Sequence, residues 1–294
     1  MRNSKRLSSL RQMSIAYCPD LETVLMHESE VTTSTWHAGI ETGKSIELLT
    51  LCRLVASFRR TGFQVIFPRL FNVKPDLFYV RNVIPRHHGA QAGHDAVIFN
   101  QIPLLDRFIG ALTPKAIVNH PSGKQFLIFR EGHPVHFINW IASGKAEYLD
   151  RPDIVVTEGS LNLQILEDDI MDFKFASAAG TCDGKLRVKN DINLPLIDLS
   201  MSGESVVPVA VILECSVGKG KVTAEEQLER YVGLFGMPQA PMTALINGKK
   251  KACPAYDFEV QIDVGEGAEE QLCQQLSSGL DRLASEFYRR TKEI

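Results

Sequence analysis

The chain lacks three features that would assign it to a specialised class of protein. Its six cysteines form no CxxC pair and no spacing typical of a small disulfide-bonded scaffold, so a reducing, cytoplasmic compartment is expected. No apolar stretch approaches the roughly 18–20 residues that cross a membrane, and we expect no membrane partner. The net charge is −3, so no overall basic field indicates nucleic acid, and a site for a polyanion would have to be a local patch.

What the chain does contain is enough apolar residues for a large core. With 294 residues, 44% hydrophobic and 23% charged, it is expected to fold as one large domain or as a domain with substantial insertions. The first 19 residues include four basic side chains and no acidic one, and we expect residues 1–35 to form a flexible basic arm. An organellar presequence has a similar composition, and Met13 is an alternative start.

Helices and strands are predicted from the spacing of apolar residues. Apolar side chains surround a polar stripe from Gly43 to Thr61, which predicts a helix, and Gly62 is a typical helix end. A last helix is predicted from an apolar seam at Leu272, Leu276, Leu280, Leu283 and Phe287. Strands are predicted at Phe63–Phe67, Asp95–Asn100, Gln125–Phe129, Leu149–Thr157 and Pro241–Ile246, and short helices at Pro103–Leu112 and Val135–Ser143.

Two stretches have a weak pattern. Pro68 to His94 looks irregular because it contains three prolines, and residues 158–205 look like a long insertion with a hairpin of its own. The whole order of elements predicts an α/β fold with mixed pairing around one sheet.

The stretch from Val206 to Tyr231 combines the clearest local signals. A β-branched apolar run predicts a strand buried on both faces, yet one carboxylate, Glu214, interrupts it. A turn with Lys219 and Lys221 follows, and Thr223 with Glu226 has the pattern of a capping box that opens a helix. Because an isolated buried carboxylate is costly, Glu214 is expected to have a cation, a donor or a metal beside it.

Two further acids lie at places where they could join Glu214. Asp153 begins a predicted strand, and Glu47 lies on the apolar side of the first helix, although an acid in a first turn is also a common way to complement the helix dipole. Carboxylates at two strand ends can hold a hard divalent cation through oxygen ligands, and the two lysines could lie near the same phosphate. The alternative is a pair of unrelated strand-end acids with a solvated lysine turn.

In this order the elements resemble the αβββαβ core of the PD-(D/E)XK nuclease superfamily, which includes many restriction endonucleases and repair nucleases. The resemblance rests on Glu47 in the helix, Pro152-Asp153 at one strand, Glu214 on the next strand and the capped helix after it. It implies that Glu47, Asp153 and Glu214 bind magnesium and activate water, with Glu47 assisting through water. Gln227 and Tyr231 resemble the QxxxY helix of RecB-like members.

One position departs from the family pattern. Two residues after Glu214, where the family has lysine, this chain has Ser216. Lys219 is offset from the Glu214 face by parity and Lys221 lies further along, although a bulge or the glycine turn could re-aim either. Two other hypotheses therefore stay open: a catalytically inactive nuclease-fold protein that binds DNA or a protein partner, and an unrelated α/β domain whose Glu214 pairs with a nearby lysine.

The resemblance implies a magnesium-dependent deoxyribonuclease of the type II restriction endonuclease kind, acting on double-stranded DNA as a homodimer. Lys219 or Lys221 would orient the nucleophile or stabilise charge on the scissile phosphate, and both would contact DNA together with Arg59 and Arg60. The implied layout is a restriction-endonuclease-like core at 36–260 with insertions at 68–148 and 158–205. A C-terminal helix at 261–294 would pack on the core or at a dimer interface.

Other motifs are weaker. Gly39 to Ser45 resembles a phosphate-binding loop but is one residue short and follows no apolar strand. Histidines at 87, 88, 94, 133 and 136, with Glu131, fit no strong zinc template. A cysteine–histidine nucleophile has no supporting pattern.

Overall fold

The architecture is that of a computed structural model of the whole chain. It describes residues 12–13, 16–18, 42–67, 75–85, 97–98, 114–130, 152–159, 162–164, 170–177, 180–188, 196–198, 209–217, 223–235, 241–249, 251–265 and 267–293. Within this part of the chain there are three long helices: α1 (Thr42–Thr61), α2 (Ala224–Phe235) and α3 (Glu269–Glu293).

The strands are numbered in chain order. The first seven are β1 (Gln64–Ile66), β2 (Pro75–Pro85), β3 (Val97–Ile98), β4 (Ala116–Asn119), β5 (Gln125–Arg130), β6 (Ile154–Glu158) and β7 (Asn162–Gln164). The remaining six are β8 (Ile170–Ser177), β9 (Gly180–Val188), β10 (Leu196–Asp198), β11 (Val209–Ser216), β12 (Met242–Asn247) and β13 (Phe258–Gln261).

The main sheet has seven strands in the order β1-β4-β5-β6-β11-β12-β13. From β1 to β11 every neighbouring pair is antiparallel, whereas β11, β12 and β13 are parallel to one another. The chain passes from β11 to β12 through α2, which is the usual way to join parallel neighbours. The fold is therefore α/β with a seven-stranded mixed sheet and a C-terminal helix.

The two faces of the sheet are covered by different helices. One face packs on α1 and α3 in a large core, to which β12 contributes Ala244 and Ile246. The opposite face of β12 contributes Leu245 to a smaller cluster with Ala224 and Leu228 of α2. The alternation of side chains along each strand sorts the residues between these two layers.

Helix α3 packs its apolar seam into the larger core. The five seam residues are no more than 4% exposed and lie in one cluster with α1: Leu272, Leu276, Leu280, Leu283 and Phe287. The ring of Phe287 contacts those of Phe58 and Phe126, with centroids 5.6 and 4.9 Å apart. The seam thus joins the last helix to both α1 and the sheet.

Three residues of the polar stripe of α1 are buried, namely Thr50, Arg53 and Ser57, whereas Arg60 at its end is exposed. Ser57 donates a 2.7 Å hydrogen bond to Asp281 of α3, and Arg53 forms an ion pair with the same carboxylate at 3.3 Å. Arg60 also pairs with Asp281. Burial by itself would raise the pKa of Asp281, but hydrogen bonds from Ser57 and Arg60 and the charge of Arg53 hold the pKa below its usual value.

Replacing Asp281 by alanine is expected to lower the free energy of unfolding by about 2 kcal/mol at pH 7. The change leaves the buried Arg53 guanidinium without this carboxylate, and the estimate lies below the value for a fully buried pair because Asp281 is partly exposed. The folded-state pKa of Asp281 is depressed, so its contribution is present above the unfolded pKa and disappears as the pH falls through the folded one. Urea unfolding at pH 7 and pH 3 measures both effects.

Glu286 is the matched control for this prediction. It lies on the same helix and pairs with Arg289 and Arg290 on the exposed side. Surface pairs of this kind contribute little, so Glu286→Ala is expected to change stability less than Asp281→Ala. Equal losses in the two variants would contradict the role assigned to Asp281.

The segment from Pro68 to His94 was predicted to be irregular, and that prediction is wrong for residues 75–85. They form the eleven-residue strand β2, which pairs with β9 and β3. Pro75 and Pro85 are the first and last residues of this strand, where proline is tolerated. The hairpin predicted within 158–205 corresponds to β8 and β9, which pair antiparallel in a four-stranded sheet with β2 and β3.

Other predicted elements have different outcomes. The strands at β1, β3, β5, β6, β11 and β12 and the first and last helices are present. The short helices predicted at Pro103–Leu112 and Val135–Ser143 and the basic arm at 1–35 fall wholly or mostly outside the described residues. None of the helices in the described ranges is long and apolar enough to span a membrane.

Candidate active site

The predicted acids meet at one end of the main sheet. Because β11 and β12 are parallel, their carboxyl ends lie at the same edge, where the Gly248 N–H donates to the Ser216 carbonyl at 3.1 Å. Antiparallel β6 begins at this edge, with Ile154 opposite both Leu213 of β11 and Arg130 at the end of β5. The register therefore brings the start of β6 beside the end of β11.

Two hydrogen bonds that run in opposite directions join Asp153 to two consecutive residues of β11, Glu214 and Cys215. The backbone N–H of Cys215 donates to Asp153 Oδ2 at 2.7 Å. The backbone N–H of Asp153 donates in turn to the Glu214 carboxylate. Each acid is thus positioned by the backbone of the other strand, although 61 positions separate them in the sequence.

Glu214 is buried, with 6% of its surface exposed, and its pKa lies close to neutral pH. Burial raises the pKa of Glu214 to about 7, and the negative charge of Glu47 adds to the rise. The hydrogen bonds from Asp153 and from the Tyr231 hydroxyl limit it. The donor expected beside Glu214 is therefore present in the form of the Tyr231 hydroxyl and the Asp153 N–H.

Tyr231 lies on α2, is 1% exposed and hydrogen-bonds the Glu214 carboxylate from the side of the sheet that α2 covers. Burial is the main reason that the pKa of Tyr231 is raised far above its usual value, so the hydroxyl stays protonated and donates. The helix that carries Tyr231 starts with the predicted capping box. The Thr223 N–H donates to Glu226 at 2.9 Å and the Glu226 N–H to the Thr223 hydroxyl at 3.2 Å.

Replacing Tyr231 by phenylalanine is expected to destabilise the protein by about 2 kcal/mol at pH 8, where Glu214 is ionised, and by less at pH 5, where it is protonated. Hydrogen bonds to charged groups contribute about 1.5–3 kcal/mol, more than those between neutral groups. Tyr256→Phe is the matched control because the Tyr256 hydroxyl donates to the neutral Ala224 carbonyl at 2.9 Å. Chemical denaturation across this pH range would contradict the assignment if both variants had the same pH dependence.

Glu47 is also buried, at 4% exposed, as its position on the apolar side of α1 predicts. Its carboxylate forms an ion pair with Arg130 at the end of β5, with 2.8 Å between Oε1 and the guanidinium nitrogen. Arg130 was not among the predicted site residues, since it stands at a strand end and 83 positions from its partner. No local spacing signals such a contact.

Glu47, Asp153 and Glu214 together are called the carboxylate cluster below. All three raise the pKa of the Cys215 thiol, after the larger effect of its burial, so their charges converge on the end of β11. Thr50 of α1 contacts this thiol, with 3.8 Å between Oγ1 and Sγ. The cluster therefore lies where α1, β6 and β11 meet.

The cysteines near the cluster do not suit nucleophilic chemistry. Burial raises the pKa of Cys215 and that of Cys253, which keeps both thiols protonated. A cysteine nucleophile needs the opposite shift, toward the thiolate. The described cysteines thus add nothing to the hypothesis of a cysteine–histidine enzyme.

The cluster fits a magnesium ion through two carboxylates. No group of three histidine, cysteine or acidic side chains is placed to hold a metal ion within the described ranges. Magnesium usually keeps several waters and takes one or two protein carboxylates. Asp153 and Glu214 provide hard oxygens of this kind, and Glu214 Oε2 is buried without a hydrogen-bond partner.

The predicted cations have different positions. Lys219 and Lys221 fall outside the described residues, and Ser216 ends β11 next to the cluster.

Arg59 and Arg60 are exposed near the other end of α1, about 18–20 Å from Glu47 at 1.5 Å per helical residue. Arg60 pairs with Asp281, and the Arg59 guanidinium lies over the Phe67 ring at 5.0 Å. Gln227 is half-buried, one turn before Tyr231 on α2.

A basic turn borders the same edge of the sheet. Asn247 ends β12 and fixes this turn, because its side chain accepts the Lys249 N–H at 2.8 Å and donates to the Lys251 carbonyl at 2.8 Å. Glu259 Oε1 accepts a second hydrogen bond from Asn247 at 2.5 Å. Lys249 and Lys251, which the sequence also offers as phosphate contacts, therefore lie near Ser216.

The remaining sequence motifs fall wholly or partly outside the described residues. Gly43 and Ser45 belong to α1, and the segment before Thr42 lies outside the described residues, as do all the histidines considered for zinc. Comparison with protein-family models, curated proteins and solved structures finds no match to this chain.

Proposed function

We propose that the chain is a magnesium-dependent endonuclease that hydrolyses phosphodiester bonds of double-stranded DNA, as a sequence-specific, homodimeric restriction endonuclease of the cytoplasm. The observation that carries this proposal is the hydrogen bond from the Asp153 N–H to the Glu214 carboxylate, together with the one from the Cys215 N–H to Asp153 Oδ2. Through them the two acids lie close to each other at a sheet edge. Glu214 is buried and Asp153 is half-buried, and a divalent cation would offset the cost of keeping their charges out of water.

The order of elements supports the proposal. Helix α1 is followed by the antiparallel strands β5, β6 and β11, then by α2 and the parallel strand β12. These elements follow one another in the αβββαβ order of the PD-(D/E)XK nucleases that the sequence resembles, with β1 and β4 as further strands of the same sheet. The acids of the cluster lie on the helix and the strands that the resemblance implies.

In the proposed reaction, water attacks the phosphorus and the bond to the 3′ oxygen breaks. The products are a 5′-phosphate and a 3′-hydroxyl, which takes up a proton. Magnesium, when bound, supplies positive charge at the scissile phosphate and makes water a stronger nucleophile at neutral pH. Asp153 and Glu214 hold it, and the Tyr231 hydroxyl and the Asp153 N–H keep the Glu214 carboxylate in place.

Basic side chains near the cluster would contact the DNA backbone. Lys249 and Lys251 flank the end of β12, and Lys219 and Lys221 belong to the segment between β11 and α2. Arg59 and Arg60 are proposed as more distant phosphate contacts at the far end of α1. Each phosphate contact that is lost should weaken DNA binding for all sequences alike and reduce its salt dependence.

The alternative function is that of a catalytically inactive nuclease-fold protein that binds DNA or a protein partner. Two observations favour it: Ser216 stands where the family has lysine, and the Glu47 carboxylate is engaged by Arg130. In this case the carboxylate cluster would be present, but the protein would not hydrolyse DNA.

Cleavage of long unmethylated DNA separates the two functions. With magnesium present, the purified protein is expected to cut it into discrete fragments, and chelation of the metal by EDTA should stop the reaction. Glu229→Gln, which removes an exposed carboxylate of α2, is the matched control and should cut like the wild type. DNA binding without any cleavage in magnesium or manganese would support the inactive protein. A protein that neither binds nor cuts DNA would contradict both DNA functions and leave only the binding of a protein partner.

A further inference from the structure

The ion pair between Glu47 and Arg130 is more buried than an ordinary surface salt bridge. The two side chains are 5% and 12% exposed, and the contact distance is 2.8 Å. Removing charges from water costs about as much as such a pair returns, so stability alone gives little reason for its presence. Its position at the carboxylate cluster suggests a role in the site.

Arg130 approaches the cluster from the side of the sheet that α1 covers. Phe126 and Ile128 of β5 point into the core shared with α1, and Arg130 continues this alternation toward the same helix. Glu214 points to the opposite layer, where Tyr231 holds it. The cluster thus consists of one acid paired across α1 and β5 and two acids linked between β6 and β11.

We propose that Arg130 is a positioning residue that holds Glu47 in an ion pair and thereby leaves a cation site of two carboxylates, Asp153 and Glu214. This inference rests on the proposed magnesium site and names the residue that limits its set of ligands. A site of two carboxylates keeps more positions for water and for phosphate oxygens than a site of three.

The number of waters bound to a lanthanide ion tests the inference without any cleavage reaction. Europium(III) is a hard, oxygen-seeking cation, and the ratio of its luminescence decay rates in H2O and D2O reports how many waters it keeps. In Arg130→Gln, Glu47 loses this ion pair and is expected to join the cation, so the ion should keep fewer waters than in the wild type. An unchanged water number would overturn the inference, even if affinity rose because a positive charge had been removed.

A double variant keeps the test decisive if Arg130→Gln does not fold. Glu47→Gln with Arg130→Gln replaces the ion pair by two neutral side chains of similar size, a change that buried pairs often tolerate. If Glu47 is not a ligand in the wild type, this variant keeps the wild-type number of waters. A higher number would show that Glu47 is already a ligand and would overturn the inference.

Failure of the proposed function gives a different result. If europium does not bind the wild type, or binds equally well to Asp153→Asn, the metal site itself is wrong and the inference falls with it. If binding depends on Asp153 and Glu214 but the water numbers do not follow the pattern above, only the role of Arg130 is wrong.

Discussion

Asp153→Asn and Glu214→Gln are each expected to reduce DNA cleavage by at least about a thousandfold. The reason is that either change removes one of two carboxylates that would hold the cation, and the electrostatic stabilisation at stake is several kcal/mol, at 1.36 kcal/mol for each factor of ten in rate. Asparagine and glutamine have nearly the same size as the acids that they replace, so the sheet edge should keep its packing. Initial rates on a DNA that the wild type cuts measure the loss.

The control for this experiment is again Glu229→Gln, which removes a carboxylate from the exposed side of α2. It should keep the wild-type rate. Circular dichroism and thermal unfolding of all three variants establish that lost activity does not reflect lost structure. Wild-type cleavage by Asp153→Asn would exclude Asp153 from the site.

Glu214→Gln is expected to have the opposite effect on stability, and the gain should depend on pH. Burial raises the folded-state pKa of Glu214 to about 7, above its usual value of 4.5. Between these two values the folded state binds a proton that the unfolded state does not, so wild-type stability falls as the pH rises through this window. The full cost of the ionised carboxylate is reached above pH 7 and amounts to at most about 3 kcal/mol.

Glutamine avoids this cost because it stays neutral. The variant is therefore expected to be more stable than the wild type at pH 8 by up to about 3 kcal/mol, and nearly equal to it at pH 4, where both side chains are uncharged. Denaturant unfolding in EDTA at several pH values measures the difference. A constant difference across the range would contradict the raised pKa, and a loss of stability at pH 8 would mean that the ionised form is better compensated than its contacts indicate.

The two expectations for Glu214 together separate a functional acid from a structural one. If a carboxylate serves packing or an ion pair, replacing it by a neutral side chain should destabilise the protein. If it serves to bind a cation, the same replacement should stabilise the protein and lower its activity. Side chains at functional sites often show this trade-off.

The elements around Glu214 could be predicted because their signals are local. A β-branched run predicts β11, and a hydroxyl three residues before a glutamate predicts the start of α2. That Asp153 lies near Glu214 was implied by the family resemblance, which rests on the order of the elements. These inferences need only neighbouring residues or the sequence of elements.

The contacts that were missed join residues far apart in the chain. Arg130 meets Glu47 across 83 positions, and Arg53 meets Asp281 across 228. The periodicity of the sequence does not predict such contacts, because each contact depends on how a helix packs on the sheet or on another helix. For the same reason most of the polar stripe of α1 could not be recognised as buried from its own sequence.

Short or unusual strands were also missed. Strand β4 has only four residues, too few for alternation to be distinct from chance. The prolines at positions 75 and 85 make this segment look irregular in the sequence, although both lie at the ends of β2. Prolines thus indicate where a strand can begin or end, but they do not predict whether the residues between them form a strand.

The wide sequence separation of the site residues has a consequence for how the protein is made. Glu47, Arg130, Asp153, Glu214 and Tyr231 come from five different elements and span 184 positions, from 47 to 231. A growing chain on the ribosome therefore holds no complete version of the site until α2 has emerged. Closing such distant contacts is a late and entropically costly step of folding, so any activity of the site would arise only with the assembled sheet.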